Sequence, residues 1–292
     1  MASRKTPKKP RLYLRHGEKI SKGLKTIAML QCEAAIAELH SNNVSPGPVH
    51  NARLSIKKIR AIIQLAAPAL GRSHRESLFE LLHEAGSRLA PLRDSEVQVR
   101  SLDLAVETAQ LPCEPFSSLR NGLADIAKQR RANDWRQIPR VVGFLEKIRK
   151  DIPDWPLDHL GAKDIRRRIR RTYRRGRTTL DACSVGGDLE LFHAWRKLLK
   201  QLGYQLCITS RYWPDQAATL IDRIAKIENL AGRERDYSML LQTMKNGPKN
   251  RPCEEATAII TNLLPPLRQQ AIDEGVIFYE AKPKLFVEML DL

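Results

Sequence analysis

Apolar residues along this chain recur three and four positions apart, the spacing that lines one face of an α-helix. No segment sustains period-two alternation between turn dipeptides, so strands are not expected. The pattern predicts helices over 17–40, 48–69, 73–90, 92–109, 115–132 and 138–150. Asp151-Ile152-Pro153-Asp154-Trp155-Pro156 then interrupts it, because two prolines remove backbone donors and clash with the preceding turn. Further helices are predicted near 160–182, 188–211, 215–231, 233–246 and 253–281. The expected fold class is all-α. Two helical halves, 16–155 and 156–292, of similar length and order, would follow a basic flexible tail over 1–15.

The helix at 48–69 shows how the faces divide. With His50 at zero on a helical wheel, Ile56, Ile59, Ile62 and Ile63 fall between about 120° and 240°. Arg53, Lys57 and Arg60 fall at about 300°, 340° and 280°. The apolar arc is predicted to pack, and the basic stripe to face away from it. A solvated charged face is the usual explanation for one such helix. Here, however, the stripe is wholly cationic, and it returns.

His50, Arg53 and Lys57 stand at i, i+3 and i+7, and His193, Arg196 and Lys200 repeat that spacing 143 residues later. Arg93-Asp94 and Arg235-Asp236 form a second echo, each Asp lying 44 or 43 residues beyond its His. Two anchors at matched spacing predict an internal duplication. The product would be a pseudo-symmetric helical protein with two cationic helix faces, built to hold something anionic.

Charge gives those faces a partner class. The chain of 292 residues carries 50 Lys plus Arg against 33 Asp plus Glu, a formal +17. Such an excess argues for a polyanion: nucleic acid, an anionic surface or a phosphate polymer. Hydrophobic residues at 42% support a real core, and aromatics at 5% are too sparse for a protein that works by stacking bases. The densest charge lies between Lys163 and Arg177, where nine basic residues meet one acid, Asp164, in fifteen positions. Arg166, Arg170, Arg174 and Arg177 form one stripe and Arg167 and Arg171 a second, apart from an apolar face of Ile165, Ile169, Tyr173 and Leu180. Like charges at i,i+4 repel, so this density calls for a counter-anion; Arg suits phosphate, because its planar fork donates two bonds to adjacent oxygens.

Five scattered cysteines without a C-x-x-C pair fit a reducing cytoplasm rather than a disulfide framework or a zinc site. The basic start, Met1 to Arg15, lacks the apolar run of a secretory signal, and no stretch approaches a membrane span. No metal site or cofactor is expected. His50 and His193 have no ligand-spaced partner on their own helices, and His16, His40, His74, His83 and His159 read as surface or packing residues. Asp94 and Asp236 each follow an Arg and read as helix caps or as orienters of basic side chains, not as catalytic acids. No phosphate loop, nucleophile elbow or H-E-x-x-H motif is present, so no enzyme is expected.

Taken together, V49-H50-x-x-R53-L54-x-x-K57-K58-x-R60, L92-R93-D94-x-x-V97, Tyr173-Arg174-Arg175-Gly176-Arg177, H193-x-x-R196-x-x-x-K200-x-x-x-Y204 and L230-A231-G232-x-x-R235-D236 resemble the CHAD family, the conserved histidine α-helical domain. Ala281-Lys282-Pro283 is similar to its closing segment, and the likeness runs from about residue 16 onward. The resemblance implies an all-α fold of two pseudo-symmetric bundles with basic helix faces lining a shared groove or pore, and binding of inorganic polyphosphate, often at cytoplasmic polyphosphate granules. It implies ligand contact by His50, Arg53, Lys57, Arg60, His193, Arg196 and Lys200, the histidines donating N–H bonds and gaining charge at lower pH. Arg166, Arg167, Arg170, Arg171 and Arg174 join the set through the basic helix, and Lys22 on the first helix completes it. The triphosphatase motif that can accompany such domains is absent. Lys57 stands where the family commonly has Arg, and Gly203 where its second repeat usually carries a basic residue, so the second stripe is expected to grip less tightly. The rival expectations are weak, non-specific binding to nucleic-acid backbones and a hydrolase or transferase acting on the phosphate polymer.

Overall fold

A computed structural model describes residues 10–40, 46–186, 188–247 and 250–290. Among them the regular structure is helical throughout, in ten α-helices joined by turns and short 3₁₀ segments. Helices α1 (Ile20–His40), α2 (Pro46–Ala66), α3 (Arg72–Thr108), α4 (Ser117–Asp134) and α5 (Ile138–Asp151) precede the Pro153–Pro156 break. Helices α6 (Ala162–Gly186), α7 (Leu189–Thr209), α8 (Pro214–Lys245), α9 (Arg251–Phe278) and α10 (Pro283–Glu288) follow it. Helix α1 packs on α2 and α5, and α6 packs on α7 and α10. The halves meet where α2 lies against α7 and α3 against α8.

The apolar arc of α2 behaves as its spacing predicts, with Ile56, Ile59, Ile62 and Ile63 all buried. Trp195 and Leu199 are buried on α7, beneath its basic stripe. One core of buried side chains runs from Leu14 to Leu290, and a second joins α3, α4, α8 and α9 around Leu102, Phe116, Tyr237 and Ile260.

Three expectations are corrected. Pro91 does not end a helix: α3 runs through it, because Leu82, Ala85, Leu89 and Leu92 on both sides are buried against neighbours. Ser95 Oγ also donates to the Pro91 carbonyl at 3.1 Å. Gly232 likewise sits inside an unbroken α8, held by Ile227 and Ala231 before it and Glu234 and Tyr237 after it. Last, the predicted tail over 1–15 does not hold for its described part, residues 10–15. Leu14 is fully buried, its N–H donates to the Ile208 carbonyl at 2.8 Å, and Arg11 pairs with Glu18 at 2.9 Å. Residues 1–9, with Arg4, Lys5, Lys8 and Lys9, lie outside the described residues.

Helix α10 had no sequence signal. It closes over Tyr173, whose ring stacks on Phe286 at 3.9 Å and whose hydroxyl donates to the Ala281 carbonyl at 2.9 Å. Among the described residues no helix is long and apolar enough to cross a membrane.

Candidate functional site

The two basic stripes meet. A cavity of about 420 Å³ between α2, α3 and α7 is lined by Arg53, Lys57 and Arg60 from one helix and Arg196, Lys197 and Lys200 from the other. His83, Gly86 and Ser87 of α3 and Gln201 and Tyr204 of α7 complete its polar wall, and no carboxylate lines it. The cause is the wheel geometry above. Each helix turns its apolar arc into the core, which leaves the opposite arcs facing each other across the seam.

The cations are not equivalent. Arg53 is half-buried and donates from Nη1 to the Gly86 carbonyl at 2.7 Å, so part of its fork is already used. Lys200 pairs with Glu228 of α8 at 2.6 Å and lies 5.7 Å from the Tyr204 ring centroid. Among the described residues Lys57 has no such partner, and burial, with Lys200, Arg53 and Arg196 nearby, pushes its amine down to about 8. Burial likewise lowers Arg53 and Arg60.

Gly203 is not part of the cavity wall. A Cβ there would stand 3.0 Å from Ile224 Cγ2 and 3.2 Å from Glu228 Oε1, so the position faces α8 and not the cavity. Lys200 of the second stripe is instead engaged by Glu228.

The histidines part ways. His50 lies outside the cavity wall, and burial, with Arg93, Lys57, Arg100 and Lys200 around it, pushes its pKa down to about 4. It therefore stays neutral over most of the acidic range, against the expectation that it gains charge. His193 has both ring nitrogens engaged: Nε2 donates to Glu234 Oε2 at 3.2 Å, and Nδ1 accepts from Arg235 at 3.4 Å. Glu234 is completely buried, and burial alone would raise its pKa. The bonds from His193 and Arg268 outweigh that and hold it below the ordinary carboxylate value. His193 thus braces α7 on α8 and does not reach the cavity. His83, read as a surface or packing residue, does line it.

Asp94 and Asp236 lie inside α3 and α8, so neither caps a helix. They serve as counter-charges: Asp94 acts on Arg53, and Asp236 on Arg196 and Arg93. Burial nevertheless raises Asp236 above its ordinary value. Gly232 of α8 leaves room for the Arg196 guanidinium, 3.5 Å from where its Cβ would be.

The structure does not bring the arginines of α6 or Lys22 to this cavity. Arg167, Arg170, Arg171 and Arg174 are exposed on α6, Arg166 is half-buried there, and Lys22 is exposed on α1. The α6 residue tied to α2 is Arg168, which donates to the Gln64 carbonyl and side chain at 2.8 and 2.7 Å. Sequence reasoning also passed over Lys197, which a wheel centred on His193 puts at about 40°, beside the stripe of Arg196 and Lys200. Among the described residues no group of three or more His, Cys, Asp or Glu side chains could hold a metal ion.

No curated protein matches the chain. Its fold is similar to that of a crystal structure of the CHAD domain from the plant Ricinus communis, with a TM-score of 0.73 at 16% identity, over 92% of this chain and 94% of that one. It is also similar to PptA from Streptomyces chartreusis, with a TM-score of 0.63 at 14% identity, over 89% and 97%. The sequence profile of the CHAD domain matches residues 28–245. The helical fold, the paired basic stripes and this match agree, and the chain belongs to the CHAD domain family.

Proposed function

We propose that this protein binds inorganic polyphosphate, which threads the cavity between α2 and α7 and is held by Arg53, Lys57, Arg60, Arg196, Lys197 and Lys200. One observation carries the reading: six cations from two helices converge on one cavity whose lining has no carboxylate. A cluster of that kind is unfavourable when empty and is relieved by an anion that meets several members at once. Inorganic polyphosphate is slender enough to reach Lys57 and carries a charge on every repeat. Duplex DNA presents its phosphates on a broad convex surface, and the same floor is out of its reach. The exposed arginines of α6 would extend the contact outside the cavity. Targeting of the protein to polyphosphate granules belongs to the same proposal.

Competition decides the ligand. With the protein loaded with labelled polyphosphate, duplex DNA at matched phosphate concentration is expected to displace little of it. Displacement phosphate for phosphate would reduce the protein to a general polyanion binder. Binding without turnover is part of the reading: incubation of polyphosphate with Mg²⁺ or Mn²⁺ should leave chain length unchanged, and robust shortening abolished by one carboxylate substitution would make it an enzyme.

A further inference from the structure

Lys57 is the odd member of the cavity. Lys200 is held by Glu228, Lys197 is exposed, and Arg53 leans on the Gly86 carbonyl. Lys57 alone among the lining lysines is half-buried with neither hydrogen bond nor ion pair among the described residues. A lysine placed among other cations and away from water holds its proton weakly, and the free amine is a nucleophile. The same neighbours form a seat for a small phosphate group.

We propose that Lys57 is a modification site, acylated by small acyl phosphates that enter the cavity and lodge their phosphate against Arg60 and Arg196. The neutral Nζ attacks the acyl carbon, and a C–N bond forms as the C–O bond to phosphate breaks. Inorganic phosphate departs carrying the amine proton, and the product is an uncharged amide. Nothing else is consumed. Acylation removes the charge of the one half-buried lining lysine that has no hydrogen bond or ion pair among the described residues, and this part of the inference, a weakened hold on polyphosphate, rests on the function proposed above.

The charged surroundings set the pH range. On its own helix Lys57 meets Arg53, with His50 one turn beyond; from α7 it meets Arg196 and Lys200. From α8 the carboxylates Glu228 and Asp236 act on it, and α3 contributes Arg93 near Asp236 and His83 in the wall. Burial, reinforced by the cations, outweighs the carboxylates, and with the amine at about 8 roughly a quarter is free at pH 7.5, against about a thousandth for an ordinary lysine.

The test is site-resolved acetylation of the full-length protein by acetyl phosphate, followed by peptide mass spectrometry. Lys57 is expected to react at least about tenfold faster than exposed Lys22 and Lys163 at pH 7.5. Excess inorganic phosphate should slow Lys57 and leave the two reference lysines unchanged. Arg196→Gln, checked for native helicity, should slow Lys57 in the same way. Equal rates at the three lysines, or indifference of Lys57 to phosphate, would overturn the proposal. These readings need no polymer, so a failure of polyphosphate to bind would sink the functional reading alone. With binding established, acetylated protein should hold polyphosphate several-fold more weakly, and unchanged affinity would overturn the regulatory half.

Discussion

At the scale of single residues, Lys57 would tie the proposed polyphosphate binding to pH. Its amine sits at about 8 in the free protein, and a phosphate oxygen beside it favours the charged form. Polyphosphate affinity should therefore be flat at neutral pH and fall as pH rises through about 8, by at most about tenfold per pH unit for one proton. Lys57→Arg should flatten that fall in binding measured across pH 7–10. A second prediction concerns the partner of Lys200. Glu228→Gln frees that amine, so affinity should rise about three- to tenfold in a direct titration. A loss instead would mean that Glu228 positions Lys200 for the ligand. His50 works on stability: because its folded pKa, about 4, lies below the ordinary value, the unfolded chain binds the extra proton first. Its contribution is complete above about pH 6.5 and drains away as pH falls toward 4, so His50→Gln should make the melting temperature less acid-sensitive across that window.

At the scale of helices, much was legible because spacing alone decides which arc is buried. The apolar arc of α2, the basic stripes of α2 and α7 and the break at Pro153 all follow from local rules. Pro91 and Gly232 misled because tertiary packing overrode a local preference, and the short α10 was invisible because its reason to exist is Tyr173, more than a hundred residues away. The roles of His193 and Gly203 were equally hidden, since both are set by α8, a helix distant in sequence. One glycine ties an element to the site. A Cβ on Gly275 of α9 would stand 2.6 Å from Trp195 Cζ2 and 3.1 Å from Leu180 Cδ2. Gly275→Ala should cost about 1–3 kcal/mol in denaturant unfolding. It should also weaken polyphosphate binding, because Trp195 must move together with its neighbour Arg196.

At the scale of the whole molecule, two helices from either side of the Pro153–Pro156 break line one cavity. Six cations neutralised together release counterions together, so by analogy with single-stranded nucleic acid log affinity should fall with log salt at a slope of about −4. Replacing Arg196 and Lys200 by Ala should shrink that slope by about 1.4, and an unchanged slope would place the polymer elsewhere. Affinity should climb with chain length until a polymer spans both stripes and then level off, because the second contact is made at high effective concentration. Tripolyphosphate binding as tightly as a long chain would point to a compact pocket instead.

The bond from Leu14 to the Ile208 carbonyl has a consequence in time. A ribosome delivers Leu14 almost two hundred residues before its partner Ile208 emerges. Throughout that interval the apolar face that Leu14 covers beside Gly23 stays open, and α2 waits without α7. Nascent chains halted before α7 should thus be cleaved readily by protease and engaged by chaperones, and chains released beyond α10 should resist both. The cationic cavity does not exist on the ribosome until α7 has emerged. The growing chain therefore has no assembled cavity to offer the polyanionic ribosomal RNA around it.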